Sequence, residues 1–502
     1  MSSNSSGNNS GIGPATLRPR AVQPIRVVNY AVNGLGLGHL TRLIAINRQL
    51  RRLARLLGER TEITFVTSSE GDGLAFQHGF ASFHIPSKTA AATCDLDPRR
   101  YRKLARQWLW NALSLCSPDL LIVDTFPGGS FGELYDVLDL GQRNAFVYRE
   151  VRETAASTAA FQSALNQYDL LVLPREFGEN RSPVPATMRD RTTYTEQILI
   201  RSSQEVHTRA RAREILGLDP HRAAVYVSTG GGGDVASEAV LSVVVEAARS
   251  LPDLQFVVGA GLLYRGEEPA APNVNWTRRP LMLELFCAFD AAFTSGGFNS
   301  VWELMHCGIP AVFAPQPRAF DDQEKRVERC VSAGAGVALD ELTPRSVAAA
   351  IQLILGQPVH DERSAAARRL VPRNCAVDAA EAVLSLVLPD HLVEAAGDLL
   401  DDALLWQAHL DGFEETELLD IAARLWRIQR ARDGVEETEP LEASYLALQK
   451  ARAEGITGRQ LTQAVRVQRE PAPFQMLLER AFELLRFPTS NQTRDPTTEV
   501  TT

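Results

Sequence analysis

From Ile25 to about residue 385, short runs of Val, Ile, Leu, Phe and Ala alternate with stretches whose apolar residues recur at helical spacing. Runs apolar on both faces suit strands covered on both sides, and helical crossovers are what join such strands in parallel. The alternation predicts parallel α/β units and comes in two sets. IRVVNYAV, EITFVTSS, ASFHIP, DLLIVDT, NAFVYRE and DLLVLP form the first, ending at Pro174. A polar, Arg-rich stretch over 178–190 interrupts, and AAVYVST, LQFVVGA, NVNWT, AAFTSG, AVFAPQ and GVALD form the second. The expected fold is α/β, with two tandem Rossmann-like doubly wound domains and a ligand cleft at the carboxyl ends of their strands.

At roughly 100–200 residues per domain, 502 residues call for about three domains. The expected division is a disordered tail over 1–24, an acceptor-side domain over 25–200 and a donor domain over 201–387. After these come an all-helical module over 388–487, carrying stripes such as LLDIAARLWRIQRAR, and a disordered tail over 488–502. A net charge of −9 excludes a global electrostatic footprint for nucleic acid. No apolar run reaches the roughly 18 residues of a spanning helix, the Ser/Asn/Gly-rich start lacks a secretory core, and the six cysteines form no CxxC pair. These features predict a cytoplasmic protein without a metal site, peripheral to a membrane at most. Arg48, Arg51, Arg52 and Arg55 lie on one predicted helix and form the expected positive face for an anionic acceptor or the inner membrane surface.

Three glycine-bearing turns follow predicted strands. The first, Gly34-Leu35-Gly36-Leu37-Gly38-His39, opens a helix whose Leu43, Ile46, Leu50 and Leu53 repeat at helical spacing. Its GxGxGH spacing is not the dinucleotide fingerprint GxGxxG, and Glu62 begins the second strand instead of ending it. His39 is the candidate general base, because imidazole near neutral pH can take a proton from a hydroxyl. The second turn places Ser228, Thr229 and Gly230 to Gly233 where backbone amides can hold a diphosphate. The third, Ser295-Gly296-Gly297, leads into a helix with Asn299 and Ser300 early and Glu303 one turn on. A carboxylate there can accept hydrogen bonds from both vicinal hydroxyls of a ribose. Asp322 and Gln323 follow the next strand, where they suit sugar hydroxyls. Gly36, Gly38, Asp124, Arg149 and Glu150 sit at strand ends of the first domain and are acceptor-side candidates.

Ser295, Gly296, Gly297, Ser300, Glu303, Gly308, Pro310, Pro315 and Gln323 resemble the donor pattern S-G-G-x-x-T-x-x-E, G-x-P, P, D-x-Q-x-x-N of GT-B glycosyltransferases. The likeness is above all to family 28, the group of the lipid-linked N-acetylglucosamine transferase of peptidoglycan synthesis. Arg326 stands where that pattern has Asn. The resemblance implies that Glu303 meets the ribose of a UDP-type donor, Ser228, Thr229, Gly230 and Gly231 the diphosphate, Gln323 the sugar, and the backbone near Met282 the base. It implies an inverting, metal-independent transfer of an N-acetylhexosamine or hexose from a UDP-sugar, which is a substrate and not a cofactor, to an unidentified glycan, lipid-linked or metabolite hydroxyl in envelope or polysaccharide synthesis. Two alternatives share the site: a nucleotide-sugar hydrolase or epimerase, and a non-catalytic scaffold whose helical module docks a protein partner.

Overall fold

The computed structural model describes residues 23–400, except 33–35, 58, 141, 176–181, 203–204, 233–235, 262, 319–320, 395 and 398–399. Two parallel sheets account for both sets of runs. The first holds β1 (Ile25–Ala31), β2 (Thr61–Thr67), β3 (Ala81–His84), β4 (Leu120–Asp124), β5 (Arg143–Val147), β6 (Leu170–Pro174) and β7 (Thr192–Thr195), in the order β3-β2-β1-β4-β5-β6-β7. The second holds β8 (Ala224–Ser228), β9 (Gln255–Gly259), β10 (Val274–Thr277), β11 (Ala291–Thr294), β12 (Ala311–Phe313) and β13 (Gly336–Ala338), in the order β10-β9-β8-β11-β12-β13. All the strand pairs are parallel. The second set agrees strand for strand with the sequence reading, whereas the first gains β7, whose Thr-Thr-Tyr-Thr carries no apolar run.

β4, β6, β8 and β9 are buried along their whole length, as apolar runs covered on both faces require. The covering helices that matter for the site are α1 (Gly38–Leu56), α2 (Pro98–Cys116), α3 (Ala236–Arg249), α4 (Phe298–His306), α5 (Gln323–Ser332) and α6 (Ala376–Leu384). On α1, Leu43, Ile46, Leu50 and Leu53 are fully buried, each contributing roughly 1.5–3 kcal/mol. Asp97 caps α2 by accepting from the Arg100 amide at 2.8 Å, and Pro98 sits where a helix needs no donor.

α6 lies against α1 and the β6–β7 side of the first sheet, so the segment expected as the donor domain sends its last helix back across the molecule. The return is tied where it meets the linker. The Asn374 side chain accepts from the Leu199 amide at 2.8 Å and donates to the Leu199 carbonyl at 2.9 Å. The expected helical module begins with Val393, Ala396 and Leu400 buried in the same apolar cluster as α1. Its remainder from 401, the C-terminal tail and the N-terminal tail up to residue 22 lie outside the described residues. No described helix is long and apolar enough to cross a membrane.

Candidate active site

In both sheets the strand order reverses at one point, between β1 and β4 and between β8 and β11. Connections leave in opposite directions there, and a crevice opens at the carboxyl ends of the strands. The two crevices face one another across a cleft of about 560 Å3. From the first domain come Gly36, Gly38 and His39 after β1 and Arg149 after β5; from the second come Ser228 to Gly232 after β8, Met282, and Gly297 to Ser300 with Glu303 on α4. Asn33, Gly34, Leu35 and Gly233 are outside the described residues.

His39 sits in the first turn of α1, its ring 5.8 Å from that of Phe126. Its Nδ1 is 2.6 Å from Oδ1 of the fully buried Asp124. Arg42, one turn further along α1, donates to both Asp124 oxygens at 3.1 and 3.0 Å, and the Thr125 hydroxyl donates to the same carboxylate. Thr125 takes a left-handed φ of 66°, where the chain turns sharply off β4. Burial would raise the Asp124 carboxyl, but the Arg42 charge and the hydrogen bonds from His39 and Thr125 hold it below its ordinary value. Burial lowers His39 below 6.5, and Arg149 and Arg42 add to this against Asp124. A neutral ring whose Nδ1–H is held by a carboxylate keeps a lone pair on Nε2.

Two loops of the donor side press backbone on backbone. A Cβ at Gly232 would lie 2.2 Å from the Ala260 carbonyl oxygen, and one at Gly261 would lie 2.4 Å from the Gly231 carbonyl carbon. Both glycines have a φ of +82°. The Gly230 amide donates to Ser228 Oγ at 3.1 Å. The Thr229 and Ser237 hydroxyls, both lining the cleft, are buried without a hydrogen-bond partner among the described residues. The Glu303 carboxyl has no hydrogen-bond partner among the described residues, and burial pushes it up to about 8. Gly259, Gly261 and Ser237 were not singled out from the sequence; the glycine pair at the end of β9 was the local signal for the first two, and Ser237 follows the glycine run at the start of α3.

Several candidates have other work. Asp124, read as acceptor-side, is sealed beneath His39. Arg149 bonds Asp321 at 2.9 Å, and Glu150 meets Lys325 at 3.2 Å and Arg329 at 3.6 Å, so both bridge the domains. Asn299 on α4 donates to Thr41 Oγ1 on α1 at 2.6 Å and to the Gly38 carbonyl at 3.4 Å, tying the N-terminal turns of the two helices together. Asp322 caps α5, and Asp321, not Asp322, lines the cleft. Gln323 lines it too, while its Oε1 accepts from the Gln316 amide at 3.0 Å. Ser295 donates to the Thr229 carbonyl at 3.3 Å, and Gly296, at φ 86°, offers its carbonyl to Arg326 at 2.9 Å. Arg326 also reaches Asp321 at 2.8 Å, so the residue that departs from the family pattern is turned into the domain bridge.

The positive face expected on α1 is not free either. Arg48 and Arg52 pair with the buried Glu205 at 2.7 and 3.0 Å, and Arg51 donates to the His78 and Gly79 carbonyls while stacking 4.3 Å from the Phe80 ring centroid. The side chain of Arg55 is outside the described residues. Burial would raise Glu205, but Arg48, Arg52 and Arg201 hold its carboxyl well below the usual range. The exposed basic surface lies instead on α2, where Arg99, Arg100, Arg102 and Lys103 have no acidic partner among the described residues.

Residues 264–381 match the family model described as the glycosyltransferase family 28 C-terminal domain. The chain is 30% identical over 191 residues to the UDP-N-acetylglucosamine–N-acetylmuramyl-(pentapeptide) pyrophosphoryl-undecaprenol N-acetylglucosamine transferase of Nocardioides sp., covering 36% of this chain and 52% of that protein. It is 25% identical over 187 residues to the transferase of the same name in Corynebacterium glutamicum (strain R), covering 36% and 51%. The chain thus spans about half the length of these relatives. The solved glycotransferase of kitacinnamycin superposes with a TM-score of 0.52 at 17% identity, over 73% of this chain and all of that one, which shows the fold. Residues 264–381 are thus similar to the family 28 C-terminal domain, and the whole has a GT-B-type fold of two facing Rossmann-like domains.

Proposed function

We propose that the protein is a glycosyltransferase that moves a sugar from a UDP-type nucleotide sugar to a hydroxyl acceptor with inversion. The observation that carries this reading is the His39–Asp124 pair, held on one side of the cleft while Glu303 and the Gly230–Gly232 loop line the other. Glu303 takes the ribose hydroxyls, and the backbone near Met282 takes the base. The Thr229 and Ser237 hydroxyls, with the amides ahead of α3, take the diphosphate without a metal ion. His39 Nε2 removes the acceptor proton as the oxygen attacks the anomeric carbon, and the nucleoside diphosphate leaves with the bonding electrons. The relatives are named for UDP-N-acetylglucosamine, which makes it the first donor to try.

The membrane contact that accompanies this reading belongs to α2 and not α1. Leu104, Trp108 and Leu115 form an exposed stripe on α2, with Trp110 and the four cations around it. That pairing of interfacial aromatics with positive charge suits an anionic lipid surface. The test of the function is mass spectrometry of purified protein given UDP-N-acetylglucosamine, with and without an acceptor pool from cell extract. Acceptor-dependent release of UDP is expected. Release of free sugar without any acceptor would instead mark the hydrolase, and no UDP binding by calorimetry would overturn the donor assignment.

A further inference from the structure

A second cavity, of about 260 Å3, opens in the first domain beside the cleft and shares Phe126 with it. Tyr30, Tyr101, Phe131, Ala105 and Lys88 also line it, with Val32, Ile85, Ser68, Thr89 and Ser130 between them. Four of its lining residues, Phe126 included, are aromatic. Tyr101 and Phe131 meet edge to face with centroids 5.8 Å apart, and Lys88 Nζ sits 5.4 Å from the Phe131 ring centroid. The one buried charge, Glu133, is fully engaged: it accepts from the Tyr30 hydroxyl at 2.8 Å and from the Ser130 and Phe131 amides at 2.7 and 2.8 Å. The Tyr101 hydroxyl donates to the Pro86 carbonyl at 2.8 Å, and Lys88 donates to the Ser130 carbonyl at 2.7 Å. Among the described residues, the hydroxyls of Ser68, Thr89 and Ser130 and the remaining N–H groups of Lys88 are left to meet an occupant.

Such a wall recognises shape and ring faces. A sugar in it would meet three side-chain hydroxyls and the spare Lys88 N–H groups, and each of its own hydroxyls left unbonded would cost roughly 1–3 kcal/mol. A flat ring gains both burial and edge or face contact with the aromatic walls. The volume limits the occupant to one or two fused rings, because drug-sized ligands fill roughly 300–1,000 Å3. Phe126 forms the border between the cavities, with its ring against His39. A ring hydroxyl directed past Phe126 therefore faces the part of the cleft where His39 sits.

We infer that the acceptor is a planar aromatic compound bearing a phenolic hydroxyl, with its ring in the Tyr30–Tyr101–Phe131 cavity and its oxygen at His39. The inference rests on the transfer reading above. The phenol gives its proton to Nε2, its oxygen bonds to the anomeric carbon, and the bond from that carbon to the diphosphate oxygen breaks with the electron pair leaving on the nucleotide. A phenol ionises near pH 10, as tyrosine does, which places it within reach of an imidazole base.

The test uses the fluorescent phenol 4-methylumbelliferone titrated against the full chain, beside an independent UDP titration by calorimetry. The wild type should bind both. Ala105→Phe, which fills the cavity from α2, should weaken the phenol at least tenfold and leave UDP affinity within twofold. Phe131→Ala should weaken the phenol likewise and decides the matter if A105F does not fold. UDP binding without phenol binding, or phenol binding indifferent to both substitutions, overturns the inference and leaves the donor reading standing. Phenol binding without UDP binding has the opposite meaning. Transfer to lipid-linked or saccharide acceptors with the phenol inert also overturns it.

Discussion

His39 owes its chemistry to what lies behind it. With Nδ1 against a carboxylate that Arg42 keeps ionised, Nε2 is the atom left to accept a proton, and burial disfavours the imidazolium. His39→Ala should lower kcat by about 10²–10⁴ with UDP affinity unchanged, measured by steady-state kinetics and calorimetry. Because the base works unprotonated and its pKa is lowered, the acid limb of kcat/KM should fall below pH 6.5. Glu303 has the opposite problem. Its carboxyl is raised from 4.5 to about 8, so the folded protein holds that proton more tightly than the unfolded chain does. The associated stability is complete below pH 4.5 and is lost as pH rises through about 8. Glu303→Gln, which cannot ionise, should melt above the wild type at pH 9 and close to it at pH 4, while losing roughly 1–3 kcal/mol of UDP binding. Equal melting temperatures at pH 9 would place the carboxyl in water.

At the scale of elements, the donor side depends on two loops in backbone contact. Gly261→Ala would put a methyl group against the Gly231 carbonyl at a positive φ, with a strain of about 1–3 kcal/mol. The β8 turn should shift and UDP affinity should drop, although residue 261 presents no side chain to the ligand. α2 has two roles: Tyr101 and Ala105 line the aromatic cavity, and the exposed part of the helix beside them carries the apolar stripe, with cations around its first turns. The proposed apolar acceptor would concentrate in lipid, and the proposed lipid contact of α2 beside the cavity would shorten its route. Replacing Arg99, Arg102 and Lys103 with Ala should weaken binding to phosphatidylserine vesicles about 100-fold, at about 1 kcal/mol per cation, in a flotation assay. Binding to neutral vesicles should change little.

These elements also mark how far the sequence could be read. The β-branched runs identified twelve of the thirteen strands because strands buried on both faces carry their environment in their own composition. β7 escaped because a short polar edge strand does not. The glycine turns and Glu303 were legible as local spacing, and His39 as the residue that opens α1. Its partner was not, since Asp124 lies 85 residues away. Arg48 and Arg52 looked like a free positive face for the same reason: Glu205 is more than 150 residues further on. A charge read without its long-range partner is read as solvated.

Across the whole molecule, the two halves are joined over the cleft by Arg149–Asp321, Glu150–Lys325 and Asn299–Thr41, which describes a closed arrangement. Removing one partner of the largely buried Arg149–Asp321 pair should cost roughly 3–5 kcal/mol of the closed form. Asp321→Asn should therefore enlarge the radius of gyration in small-angle scattering, and added UDP-sugar should restore only part of the difference. The tie between Leu199 and Asn374 acts on the same motion from the other end. Two passages of chain cross between the halves there and are bonded to each other, so the halves can swing about that point but cannot slide past one another. A single protease cut in either passage would leave the other intact. The nicked protein should run as one species on a native gel and come apart into its fragments only when denatured.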